Sequence, residues 1–225
     1  MTGKINQTDE LTAHDQALSR IRGRDLTVQT IIDVGASDGR WSIMAKKHWP
    51  WARCHLIEAY TYWAEDLEYL SMNLPGFSYC LEAAGAKKGE TYFFNSEEDP
   101  FGGAASNSFS DGYWKVRQTT IDDEIRDEPL IGPFLIKLDT HGYEREILKG
   151  ASKALKETNL IVVEVYNFME LDKRFPSFCS YLECLGFRCI DIAAPLYRPH
   201  DQSLWQMDVF FVPNNRLEFD YHGYY

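Results

Sequence analysis

Thr30-Ile31-Ile32-Asp33-Val34-Gly35-Ala36-Ser37-Asp38-Gly39 is the stretch that decides how this chain folds. A short apolar run that breaks into a glycine loop reads as a buried strand, and Trp41, Ile43, Met44 and Ala45 beyond it fall on a helix. Strand, glycine turn and helix in that order form the arrangement by which an open α/β sheet binds ligands at the carboxyl ends of its strands. Gly35 permits a tight turn and Gly39 lets the helix pack closely. The unpaired N–H groups of that helix's first turn can then face an anionic group.

The same pattern recurs downstream. Cys54-His55-Leu56-Ile57, ending at Glu58, reads as a second strand, residues 62–72 as a helix and residues 77–81 as a third strand. Residues 134–139 give a fourth strand, residues 143–155 a helix and residues 160–165 a fifth strand. Alternating strands and helices imply parallel pairing in a doubly wound α/β fold. Two late runs, residues 186–192 and 207–212, are separated by a polar, proline-bearing segment without helical period, which predicts an antiparallel pair at one end of the sheet. Lys88-Gly89-Glu90 marks a turn before Thr91-Tyr92-Phe93-Phe94, a candidate hairpin. Residues 95–111, rich in Gly, Ser, Asn and Asp, read as a long loop that closes over the site.

Upstream, Leu11, Ala17, Leu18 and Ile21 lie near helical spacing ahead of Gly23. The resulting division is a helical extension over residues 1–28, one α/β domain over residues 29–213 and a tail over residues 214–225. With 225 residues and 44% hydrophobic content the chain can bury one sizeable core. A net charge of -11 argues against a phosphate-neutralising surface, so no nucleic-acid partner is expected. No apolar run approaches the roughly 20 residues that span a bilayer, so no membrane association is expected. Cys54, Cys80, Cys179, Cys184 and Cys189 form no CxxC pair, and unpaired thiols suit a reducing, cytoplasmic setting.

A dinucleotide-binding loop needs G-x-G-x-x-G, but counting from Gly35 the later glycine positions hold Ser37 and Arg40. Room for a pyrophosphate is therefore poor, and a nucleoside cofactor without phosphates fits better. Glu58, closing the second strand, stands where an acidic residue accepts both ribose hydroxyls. An NAD(P)-dependent oxidoreductase on a Rossmann-like fold is the competing enzyme, and a non-catalytic interaction module of the same fold is a third reading.

IIDVGASDG, LIEA, EAAGAKKGETYFF, TTIDDEI (residues 119–125), FLIKLDTHGYEREILKGA (residues 134–151), IVVEV and LGFRCIDI together resemble the FkbM-type methyltransferases, over residues 30–213. The resemblance implies a class I, Rossmann-like fold whose seven-stranded, mostly parallel sheet ends in an antiparallel strand, with helices on both faces, and S-adenosyl-L-methionine as cofactor. It implies that Asp33, Gly35, Ala36, Ser37 and Gly39 bracket the cofactor and that Glu58, with Ala59, holds its ribose. Glu82 and Ala83 would border the adenine, and Asp139 would face the transferred methyl. The acceptor is expected to be a small-molecule hydroxyl on a sugar, polyketide or other metabolite.

A hydroxyl acceptor must lose a proton, and His141, in the turn Asp139-Thr140-His141-Gly142, has an intrinsic pKa suited to taking it. The catalytic pair read here is therefore His141 and Asp139. Glu144 reads as a cap of the following helix, and Glu164, at the end of the fifth strand, as part of an acceptor pocket. Asp139, His141 and Glu144 are conceivable metal ligands, but His14, His48, His55, His200 and His222 are scattered without ligand spacing and no metal is expected. Tyr166-Asn167-Phe168 and the aromatics of residues 175–181 read as core before acceptor pocket. The oligomeric state stays open, a homo-oligomer included.

Overall fold

The structure, a computed structural model, describes residues 7–225. Its main sheet is built from β1 (Thr30–Val34), β2 (Arg53–Ile57), β3 (Phe77–Cys80), β8 (Phe134–Leu138), β9 (Thr158–Tyr166), β10 (Phe187–Tyr197) and β11 (Leu204–Pro213). These lie in the order β10-β11-β9-β8-β1-β2-β3. β11 runs antiparallel to both β9 and β10, and the other neighbouring pairs are parallel. The expected seven-stranded sheet with its late antiparallel pair at one edge is therefore present.

β1 and β8 are buried along their whole length, as sheet strands covered on both faces must be. One face carries Ile31, Leu56, Leu135, Leu160, Val162 and Phe210 against α1 (Gln7–Arg22), α2 (Arg40–Lys46) and α3 (Ala64–Asn73). The other carries Ile32, Ile136, Val163 and Val209 against α5 (Glu144–Lys149) and α6 (Phe175–Cys184), with Ile121 of α4 (Ile121–Asp127). α1 packs its Ala17, Leu18 and Ile21 into the first core, and burying such a side chain contributes about 1.5–3 kcal/mol.

Two readings of the sequence need correction. Residues 95–111 are not one long loop: Asp99–Ser106 is strand β6, pairing antiparallel with β5 (Gly89–Ser96). Its Asp, Pro and Gly content is strand-poor, but β6 is the edge of a second sheet, ordered β4-β7-β5-β6, where such residues are tolerated. β4 is Ala83–Ala84 and β7 is Trp114–Thr119. The helix expected over residues 143–155 stops at Lys149, with Gly150 as its C-cap, where a Cβ would sit 2.1 Å from the Gly85 carbonyl oxygen. The chain resumes as a 3-10 turn at Ala154–Glu157.

Candidate active site

The carboxyl ends of β1, β2, β8 and β9 open into a cavity of about 310 Å³. Its floor is the loop after β1. Gly35 and Gly39 both adopt positive φ, 75° and 76°, where side chains are strained. A Cβ on Gly35 would lie 2.0 Å from the Asp139 carbonyl oxygen, and one on Gly39 would lie 2.3 Å from a Leu70 methyl. Gly35 thus lets the loop cross the end of β8, and Gly39 lets α2 pack onto α3, as their spacing suggested.

Glu58 is buried and ties the first loop to the second. One carboxylate oxygen accepts the Ser37 N–H at 2.8 Å and the other the Tyr60 N–H at 2.7 Å. Burial raises its pKa, and those two N–H donors oppose the rise. Gly35, Ala36, Ser37, Glu58, Ala59, Glu82, Ala83, Asp139 and His141 all line the cavity. Asp33 and Gly39 stand behind the wall: Asp33 is fully buried, accepting from Ser42 Oγ at 2.8 Å.

Opposite the loop, side chains converge. A backbone carbonyl only accepts, so the 3.0 Å contact between His141 Nδ1 and the Gly103 oxygen fixes the hydrogen on Nδ1 and leaves Nε2 facing the cavity. Nε2 lies 3.9 Å from Asp139 Oδ1 and 3.7 Å from Glu164 Oε2. His141 itself holds a φ of 54°, a strained value for a non-glycine residue. Lys137 Nζ donates to Asp139 Oδ2 at 3.0 Å and lies 3.6 Å from Asp33 Oδ1. Burial disfavours the Asp139 charge, but Lys137 and His141 outweigh it and hold this carboxyl below the usual range. Glu164 goes the other way: burial, then the charges of Asp139 and Asp208, push its pKa well up. Its oxygens accept from Tyr166 Oη and Gln206 Nε2.

Glu144 does not cap the helix as expected: its Oε1 accepts from Thr140 Oγ1 and the Gly142 N–H, which ties the preceding turn to the first residue of α5. Glu164, not Glu144, is therefore the carboxylate that joins Asp139 and His141. Phe178 is core, and Phe168 stacks on Trp205 away from the cavity. Several wall residues escaped the sequence reading as site residues, Glu10 and Leu11 from α1, Phe93 from β5 and Gln206 from β11, whereas Asn95 and Phe101 come from the segment expected to close over the site. His14, scattered in sequence, is brought to Asp208 at 2.9 Å and accepts the Trp41 indole N–H on Nδ1 at 2.6 Å. Lys137 alone left a sequence signal, since a charge inside an otherwise apolar strand is costly without a partner.

A seven-stranded sheet of this order, with a glycine loop after its first strand and an acid after its second, defines a class I methyltransferase fold. The model of the methyltransferase FkbM domain matches residues 33–189, and the chain belongs to that family. In fold it is similar to a candidate O-methyltransferase from Klebsiella pneumoniae, at a TM-score of 0.51 and 11% identity over 94% of this chain and 82% of that one. It is also similar to the 1,6-didemethyltoxoflavin-N1-methyltransferase of Burkholderia thailandensis, solved with 1,6-didemethyltoxoflavin and S-adenosylhomocysteine, at a TM-score of 0.50 and 11% identity over 93% and 81%. At such identity the likeness concerns the fold alone. Among curated proteins none matches the chain. No helix among the described residues is long and apolar enough to cross a membrane.

Proposed function

We propose that this protein uses S-adenosyl-L-methionine to methylate a hydroxyl on a small metabolite such as a sugar or polyketide. The observation that carries the reading is that one cavity joins the glycine loop and Glu58 to the facing group Asp139, His141 and Glu164. The charge of that cavity supports the donor. Its wall holds seven acidic side chains, Glu10, Asp38, Glu58, Glu82, Asp99, Asp139 and Glu164, against two cations, Arg40 and Lys137. Glu82 is paired with Arg117 and burial pushes the Glu164 carboxyl well up, which leaves a smaller acidic surplus. Arg40 is paired with Asp38 and Lys137 with Asp139. A pyrophosphate would meet this surplus of negative charge unfavourably, whereas a sulfonium cation is attracted by it, which disfavours the nicotinamide reading.

When bound, the cofactor supplies an electrophilic methyl group and a neutral leaving sulfide. The protein's part is to bind, orient and exclude water. The N–H groups of Gly35, Ala36, Ser37 and Gly39 are spent inside the fold, on Ile57 O, the Glu58 carboxylate and Ala36 O, so the loop shapes the donor's place, and Glu58 accepts from its ribose hydroxyls. Glu82 and Ala83 border the base. His141 Nε2 accepts the proton of the acceptor hydroxyl, with Asp139 Oδ1 orienting that hydroxyl and stabilising the imidazolium that forms. The scheme needs no metal, since His141 Nε2 takes the proton and Asp139 Oδ1 orients the hydroxyl. The free cysteines accord with a cytoplasmic enzyme.

Calorimetry on cofactor-free protein tests the donor directly, with S-adenosylmethionine, S-adenosylhomocysteine and NADPH titrated separately. Heat from the first two and none from the third is expected. Transfer of tritiated methyl to a panel of neutral glycosides and phenols then tests the reaction. Binding of NADPH alone, or of nothing, would remove the basis of the reading.

A further inference from the structure

We infer that Lys137 is a positioning residue of the methyl-transfer site, holding Asp139 with one oxygen turned to the cavity, and that Asp33, which opens the glycine loop, is its counter-ion. The inference rests on the function proposed above and gives roles to Lys137, at the cavity wall, and to Asp33, buried behind it.

Strand geometry places the three groups. Asp33 on β1 and Lys137 on β8 are register partners in the parallel ladder, so their side chains share a face of the sheet. Asp139 follows Lys137 by two residues, one period of a strand, and leaves on the same face. Lys137 is 4% exposed, and burying an ammonium costs several kcal/mol unless it is paired. An apolar side chain would continue the apolar run of β8 without that cost. The ammonium is nevertheless retained, 5.4 Å from the Trp41 ring centroid, and its nearest oxygens are those of Asp139 and Asp33. Asp33 Oδ1 has no hydrogen-bond partner among the described residues and faces only this cation, while its other oxygen is taken by Ser42.

The consequence falls on Asp139. With Oδ2 held by Lys137, Oδ1 is the oxygen left for the cavity, 3.9 Å from His141 Nε2. The groups that act on Asp139 or stand close beside it are Asp33 from β1, His141 from the turn, Glu164 from β9, Asp208 from β11, and Glu10 and His14 from α1. Four of these besides Asp139 are carboxyls, and Lys137 is the one ammonium in the group. Its charge, together with His141, keeps Asp139 ionised and so able to face a sulfonium and to orient a hydroxyl.

Lys137→Met and the double variant Asp33→Asn/Lys137→Met test this, the double removing the buried carboxylate that the single variant would strand. The Asp139 carboxyl is followed by carbon NMR titration, assigned by its loss in Asp139→Asn, and the affinities for S-adenosylmethionine and S-adenosylhomocysteine are measured by calorimetry from pH 5 to pH 8. In both Met variants the Asp139 midpoint is expected to rise by about one pH unit or more, and the preference for the sulfonium form over the sulfide to be lower than in the wild type and to fall further towards pH 5. Lys137→Arg should keep the wild-type midpoint. An unmoved midpoint, with both ligands weakened equally at every pH, would make Lys137 a structural residue and overturn the inference. Absence of ligand heat in the wild type would instead strike at the donor assignment, leaving the titration to judge Lys137.

Discussion

At one end of the cavity the wall is backbone from consecutive residues, Val34 to Asp38, drawn tight by glycines and by the Glu58 carboxylate. At the other end it is side chains, brought by α1, the β5–β6 hairpin, the turn after β8, β9 and β11. On the function proposed above, the glycine loop and a strand-end acid take what is common to every such reaction, the donor, and the converging side chains take what differs, the acceptor. The family model spans residues 33–189, so Asp139, His141 and Glu164 of the cavity wall lie inside it and Glu10, Leu196 and Gln206 outside it. α1 thus supplies part of that wall as well as part of the core.

If the division holds, damage at each end should have a different signature. The largest effect is expected from His141→Ala, a fall in turnover of about 10²–10⁴ from loss of a general base. S-adenosylhomocysteine affinity should stay within about threefold of wild type by calorimetry, and an equal loss of both would merge the two ends into one. Gly35→Ala attacks the other end through the fold. A Cβ at positive φ and 2.0 Å from the Asp139 carbonyl oxygen should cost about 2–5 kcal/mol in urea unfolding. Gly23→Ala, with no atom closer than 3.5 Å and no positive φ, serves as the control and should stay within about 0.5 kcal/mol. Glu58→Ala should weaken S-adenosylhomocysteine about 10–100-fold, the equivalent of one charge-assisted hydrogen bond, with turnover at saturating donor changed much less.

The same division explains what could be read from sequence. The donor end was legible because its chemistry is local: a strand, two glycines and an acid after the next strand stand within thirty or so residues, and each has one conformational reason to be there. The sheet was legible because its central strands are continuous apolar runs. The β6 edge was not, since Asp99-Pro100-Phe101-Gly102-Gly103 has loop composition and becomes a strand only by pairing with β5. Nor was the role of Glu164 and Glu10 fully legible, because nothing in the chain states that β9, β11 and α1 will bring them to one place. Helix α5 was read too long because the apolar spacing runs on through Ala151 and Leu155, past the glycine at its C-cap.

The smallest effect, and the one that weighs the two ends against each other, concerns pH. Burial raises the pKa of Glu10, Asp33, Glu58, Glu144 and, furthest, Glu164. A carboxyl raised in the folded state takes up its proton there before the unfolded chain does, so its contribution to stability is full below the unfolded value near 4 and is lost as pH rises through the folded value. Asp139 and Glu124, which are lowered, act in the opposite sense and only below about pH 4. Urea unfolding should therefore show stability increasing as pH falls from 8 to 5, by on the order of 1 kcal/mol. Because Glu164 faces Asp139 and Asp208 while Glu58 receives two N–H groups, Glu164→Gln should remove more of that slope than Glu58→Gln. A slope that Glu58→Gln flattens and Glu164→Gln leaves intact would place the electrostatic strain at the donor loop and reverse the comparison.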